Sequence, residues 1–201
     1  MSNYWDDLME SDEHAATYME TYGEGAGTPL RLKIASYLEP EQKVLDIGCG
    51  PGWNFDTFLQ HGPAVYYRGK DYSERFVRVA NERVKPMKIF EVGDVRDFGE
   101  PDSSFDVVIM QDVLEHTNGY RKPMQEALRV SKKRIIVTFW HLTESDDDNP
   151  INDDGKDGWG AWYSGPKWER YLDTLPVTWI HVKLPRKDAF HDIYVIDKVG
   201  T

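Results

Sequence analysis

The sequence has almost no cysteine, no basic residue near its start and no long apolar run. Cys49 is the single cysteine, so no intrachain disulfide can form and nothing asks for an oxidising compartment. No lysine or arginine precedes Arg31, and that stretch lacks the apolar core of a secretory signal. No segment approaches the roughly 20 apolar residues that a membrane-spanning helix requires. These absences lead to the expectation of a soluble, cytoplasmic protein. Basic charge is scarce as well. The 24 Lys and Arg face 35 Asp and Glu, and a net charge of −11 argues against a chain built to grip a phosphate backbone. The 201 residues, 40% of them hydrophobic, suffice for one domain with a substantial core.

The acidity sits in two places. Residues 1–30 hold Asp6, Asp7, Glu10, Asp12, Glu13, Glu20 and Glu24 and no basic residue except His14. Residues 141–160 hold Glu144, Asp146, Asp147, Asp148, Asp153, Asp154 and Asp157 against Lys156. A charge run is most simply a solvated face. Aromatics cluster in and around the second run: Trp140, Trp159, Trp162, Tyr163 and Trp168.

From residue 43 onward, short apolar runs alternate with helical patterns. Strands are expected at Lys43–Ile47, Val65–Lys70, Met87–Val92, Phe105–Met110 and Lys133–Phe139. Helices are expected between them at Asn54–Gln60, Ser73–Arg83 and Tyr120–Val130, with Ser73 as an N-cap. Such alternation implies right-handed crossovers and a largely parallel, doubly wound sheet. Val177–Lys183 and His191–Lys198 leave no room for a helix between them, so they should be antiparallel neighbours joined by a loop containing Pro185. Further helical patterns at Asn3–Tyr18 and Pro29–Tyr37 flank the breaker Gly23–Gly27. No internal repeat is present.

The most informative stretch is Val44-Leu45-Asp46-Ile47-Gly48-Cys49-Gly50-Pro51-Gly52. A buried strand runs into three alternating glycines, which permit a tight turn and close approach of a ligand to the backbone. A dinucleotide-binding loop would place its third glycine at position 53, where Trp53 stands, and no Gly-Lys-Ser/Thr ending marks a phosphate-binding loop. Trp53 therefore disfavours a nicotinamide-dependent reductase. Further polar signals fall at later strand ends: Asp71, Asp94-Val95 and Gln111.

Over about residues 43–140 these motifs resemble class I S-adenosylmethionine-dependent methyltransferases. The resemblance implies a Rossmann-like, doubly wound α/β sheet of about seven strands, mostly parallel with an antiparallel C-terminal strand. It also implies an N-terminal helical cap over 1–40 and a cofactor-binding domain over 41–201, with 141–165 as a lid or substrate loop. Asp46, Gly48, Cys49, Gly50, Gly52, Asp71, Tyr72, Asp94, Val95 and Gln111 then become the cofactor-binding residues. Gly48 and Gly50 admit the methionine part, Asp71 takes the ribose hydroxyls, Asp94-Val95 takes adenine, and Gln111 lies near the sulfonium. The chemistry agrees, since a carboxylate accepts two hydroxyl hydrogens well.

Methyl transfer from a sulfonium requires mainly alignment and exclusion of water, with a base where the acceptor must lose a proton. His116, in Asp112-Val113-Leu114-Glu115-His116, is the candidate for that base or for a substrate contact. Its plain alternative is a structural histidine at a helix start. The same five residues resemble the acid-x-x-Glu-His pattern of metal-assisted methyltransferases acting on quinol precursors or RNA 3′ ends. Those enzymes carry Glu where this chain has Asp112, so the metal remains open. The expected function is methyl transfer to a small molecule, without nucleic acid or membrane partners. The acidic segments and their tryptophans favour a cationic or amine-bearing acceptor. A metal-assisted O-methyltransferase and a cofactor-binding protein without transfer activity are the alternatives.

Overall fold

The computed structural model of the chain describes residues 27–147, 160–186 and 189–200. The expected helix at Asn3–Tyr18 lies outside them. The chain divides into two compact units between Phe98 and Gly99.

The first unit begins with α1 (Thr28–Ala35), whose buried Leu30 and Ile34 share one face. It continues with β1 (Lys43–Ile47), α2 (Trp53–His61), β2 (Tyr66–Asp71), α3 (Glu74–Arg83) and β3 (Phe90–Val92). The strands are parallel, with Lys43 opposite Tyr66 and Ile47 opposite Lys70, and with Gly69 opposite Phe90. Val44, Leu45, Asp46 and Ile47 of β1 are all buried, as a strand covered on both faces requires. Ser73 caps α3 as expected, its Oγ accepting from the Phe76 N–H at 3.3 Å. Behind β2, Tyr67 packs with Phe55, Phe58 and Phe90 at centroid distances of 5.3, 6.2 and 5.8 Å.

The second unit holds β4 (Phe105–Gln111), a 3-10 turn (Leu114–His116), α4 (Arg121–Val130) and β5 (Ser131–Phe139). Two short strands follow, β6 (Leu142–Thr143) and β7 (Tyr163–Ser164), and then α5 (Gly165–Leu172), β8 (Val177–Arg186) and β9 (Ala189–Lys198). β4 and β5 are parallel, β9 runs antiparallel to β5, and β8 runs antiparallel to β9. β9 is thus the antiparallel C-terminal strand that the sequence leads one to expect.

Some bounds shift: β3 begins at Phe90 rather than Met87, and β5 at Ser131 rather than Lys133. Two larger details also differ from expectation. Pro185 lies inside β8, opposite Phe190, rather than in a loop. A proline is tolerated there because β8 is the last strand of its sheet and has an edge that needs no N–H donor. The second is α5, capped by Ser164, whose Oγ accepts from the Lys167 N–H. Its Trp168, Tyr171 and Leu172 are buried. Trp168 is fully buried against Tyr120, Phe139, Tyr171 and Tyr194, so this tryptophan belongs to a core. Most of the expected lid, residues 148–159 with Trp159, lies outside the described residues; its flanks are joined by the parallel pairing of β6 with β7.

Candidate functional site

Nine of the ten residues singled out for a cofactor lie in the first unit, at the ends of its three strands. β1 ends in a glycine loop in which Gly48, Gly50 and Gly52 have φ of 72, 53 and 89°. β2 ends in Asp71, and its backbone holds that loop: the N–H groups of Gly48 and Cys49 both donate to the Lys70 carbonyl. The Asp71 carboxylate completes the stitching. One oxygen accepts from the Gly50 N–H at 2.8 Å and the other from the Ser73 N–H at 2.9 Å. The Asp71 carbonyl accepts in turn from the Gly93 N–H beyond β3.

The three glycines are not equivalent. A Cβ on Gly50 would meet open space, whereas one on Gly52 would come within 2.6 Å of the Phe90 ring. Gly50 leaves room for a ligand; Gly52 leaves room for a core aromatic. Gly69 is crowded in the same way, by Phe90 and by the Cys49 thiol. That thiol is buried, and burial followed by the nearby Asp71 charge pushes its pKa up, so Cys49 offers backbone rather than a reactive sulfur.

Asp46 is fully buried beneath the loop. Its Oδ2 accepts from the Tyr67 hydroxyl at 2.5 Å and from Asn54 Nδ2 at 3.0 Å, while Oδ1 has no hydrogen-bond partner among the described residues. Burial raises its pKa to about 7, partly opposed by those two hydrogen bonds. A buried carboxylate with one vacant oxygen suits a cationic group. Nearby, α2 starts at Gly52 without a side-chain cap. Buried Arg31 of α1 reaches the first turns of that helix, with Nε donating to Thr57 and its guanidinium 5.8 Å from the Trp53 ring centroid. Sequence reasoning missed Arg31, Asn54 and Tyr67, because each belongs to an ordinary helix or strand pattern.

Asp94 follows β3, and Arg96 grips it: Nε and Nη2 lie 2.9 and 2.6 Å from its two oxygens. That hydrogen bonding holds the Asp94 pKa below the usual carboxylate range. Tyr72 is 55% exposed and Val95 half-buried, both open to a flat ligand.

The tenth residue, Gln111, ends β4 in the second unit, and its Oε1 is buried without a hydrogen-bond partner among the described residues. Asp112 follows with φ 52° and is tied to Thr138 of β5. His116 turns its ring edge-on to Trp140 at 5.4 Å. Glu115 is fully buried, its Oε1 accepting from the Trp140 N–H at 2.7 Å; burial and then Asp112 push its pKa well up. A metal set of Asp112, Glu115 and His116 is thus not assembled. Among the described residues, no group of three His, Cys, Asp or Glu side chains is placed to hold an ion.

Residues 45–138 match the model of the methyltransferase domain. Phosphoethanolamine N-methyltransferase 1 of Arabidopsis thaliana is 38% identical over 82 residues, which is 39% of this chain and 16% of that protein. Demethylmenaquinone methyltransferase of Listeria welshimeri is 32% identical over 94 residues, 44% of this chain and 40% of that protein. The chain therefore spans less than half the length of these relatives. Among solved structures, magnesium protoporphyrin IX methyltransferase from Synechocystis, with bound S-adenosylmethionine, superposes with a TM-score of 0.71 at 18% identity, covering 96% of this chain and 95% of that one. A Haloferax volcanii putative methyltransferase, in complex with the Trm112 activator, gives 0.76 at 13% identity and 98% coverage of both chains. These likenesses show a shared fold, the mostly parallel Rossmann-like sheet with an antiparallel C-terminal strand.

Proposed function

We propose that this chain, whose residues 45–138 are an S-adenosylmethionine-dependent methyltransferase domain, transfers the cofactor's methyl group to a small-molecule acceptor. The observation that carries the reading is the cradle at the ends of β1 and β2: open Gly50, bound to Asp71, above Asp46 with its vacant oxygen. The cofactor, when bound, supplies a methyl group on a positively charged sulfur. Asp71 takes the ribose hydroxyls, and Asp46 Oδ1 faces the amino group. Arg31 and the uncapped start of α2 take the carboxylate. Tyr72, Asp94 and Val95 hold adenine, with Arg96 yielding part of its grip. Gly48, Cys49 and Gly52 shape the loop. Small molecules are the acceptors named for phosphoethanolamine and demethylmenaquinone methyltransferases, which supports that class here.

The amine-bearing acceptor rests on the two acidic segments, and residues 1–26 and 148–159 lie outside the described ones. Glu144, Asp146 and Asp147 are described and point outward, pairing with Lys183, Arg170 and Lys167. They support a solvated face rather than a rim around a cation, and we keep the acceptor class at small molecules.

The reading is tested by thermal melting with S-adenosylmethionine. A ligand that binds only the native state at about 100 times its Kd adds about 2.7 kcal/mol, a rise of several degrees. Asp71→Ala should abolish most of the rise, and Asp71→Asn, which keeps the side-chain volume, should reduce it. No rise in the wild type at millimolar cofactor would refute the proposal.

A further inference from the structure

The last turn of α3 carries two polar side chains that the reading above leaves unused. Arg83, its final residue, donates from one guanidinium nitrogen to the Pro51 carbonyl at 2.5 Å and from the other to the Asp56 carboxylate of α2. Pro51 lies between Gly50, which leaves open space, and Gly52, the N-cap of α2. Asn81, two residues before Arg83, grips the first residue of β3. Its Nδ2 donates to the Phe90 carbonyl at 2.8 Å, and its Oδ1 accepts from the Phe90 N–H at 3.3 Å. The Phe90 ring, fixed in this way, fills the place that a Cβ on Gly52 would take. One helix thus holds two consecutive residues of the glycine loop: Pro51 by its carbonyl, and Gly52 through Phe90. Asp56 gives Arg83 a second task. It stands in the first turn of α2, where a carboxylate competes with an anionic ligand for the helix N–H groups and the positive end of the dipole. Arg83 and Asp56 are both partly buried, and the guanidinium offsets that charge.

We propose that Arg83 is a positioning residue for the amino-acid end of the cofactor: it fixes the Pro51 carbonyl, and with it the open turn at Gly50, and it offsets Asp56 so that the start of α2 can receive a carboxylate. The inference rests on the cofactor reading. The nucleoside end is held by separate means. Asp71 is oriented by the Ser73 N–H as well as by Gly50, and Asp94 by Arg96. Arginine suits the task because its planar fork serves a carbonyl and a carboxylate at once, whereas a lysine offers a single nitrogen. Arg83 therefore acts on the methionine part through the loop and through Asp56, without touching the reacting atoms.

Two probes separate this role from a structural one: S-adenosylhomocysteine and methylthioadenosine. They share the nucleoside and the sulfur, and only the first carries the amino-acid end. Calorimetry on the full chain gives the Kd of each. Arg83→Met should weaken S-adenosylhomocysteine by about tenfold or more and methylthioadenosine by less than about threefold, with Arg83→Lys intermediate for the first probe. In the Arg83→Met background, Asp56→Asn should recover part of the lost S-adenosylhomocysteine affinity. Equal losses on both probes, no loss on either, or no recovery with Asp56→Asn overturn the proposal. Should Arg83→Met fail to fold, the same comparison is made in Arg83→Lys and the same outcomes decide. A wild type that binds the two probes equally, or takes S-adenosylhomocysteine and not methylthioadenosine, overturns the positioning role while the cofactor reading stands. A wild type that binds neither removes the cofactor reading itself.

Discussion

Asp46 pairs two roles that pull in opposite directions. In the proposed site its carboxylate meets a cation, yet by itself it is a buried acid with a pKa of about 7. An acid whose folded pKa is raised favours the native state most when protonated. Its contribution is therefore full below about pH 4 and falls as pH rises toward 7, by up to about 4 kcal/mol. Asp46→Asn should flatten this part of the stability profile. Relative to wild type, the variant should gain several degrees of Tm at pH 8 and little at pH 4, while losing affinity for the cofactor. A variant less stable than wild type at pH 8 would contradict the assignment. The glycines give a second residue-scale test. Gly50→Ala, at φ 53° with open space around it, should cost about 1–2 kcal/mol of stability and most of the cofactor affinity. Gly52→Ala, aimed at the Phe90 ring, should cost more in stability. Denaturant melts that reverse this order would show that the Phe90 contact does not govern position 52.

At the scale of elements, α5 is the largest departure from the sequence-based expectation. Trp168 inside it is enclosed by four aromatic rings, so Trp168→Ala should lose about 3–5 kcal/mol, read as a fall of roughly 10 °C in Tm. The helix was legible in principle: Ser164 is a capping residue, and Trp168, Tyr171 and Leu172 fall three and four apart. The Asp- and Trp-rich stretch before it masked that spacing. The strands were far easier, because continuous apolar runs such as Val44–Ile47 and Ile135–Phe139 admit few other readings in an alternating chain. The ends drifted where polar residues join the ladder: β5 begins at Ser131 rather than Lys133, and β8 runs on through Pro185.

For the whole molecule, the candidate site was legible where the proposed contact falls on backbone or on a residue at a strand end. It was hidden where residues distant in sequence meet in space, as Arg31 meets Thr57 and Tyr67 meets Asp46. The metal alternative belongs at this scale too. Oxygens of Glu115 and Asp112 already hold protein donors, so prolonged dialysis against EDTA should leave methyl transfer largely unchanged. Loss of activity restored by a divalent ion would mean that these side chains rearrange around it.

Phe90 is wedged against the positions where Gly52 and Gly69 lack side chains. These three sites, drawn from a loop, a middle strand and an edge strand, therefore form one steric unit. A smaller residue at 90 would relieve the ring's share of the clash at both 52 and 69, so substitutions at these positions should not be additive.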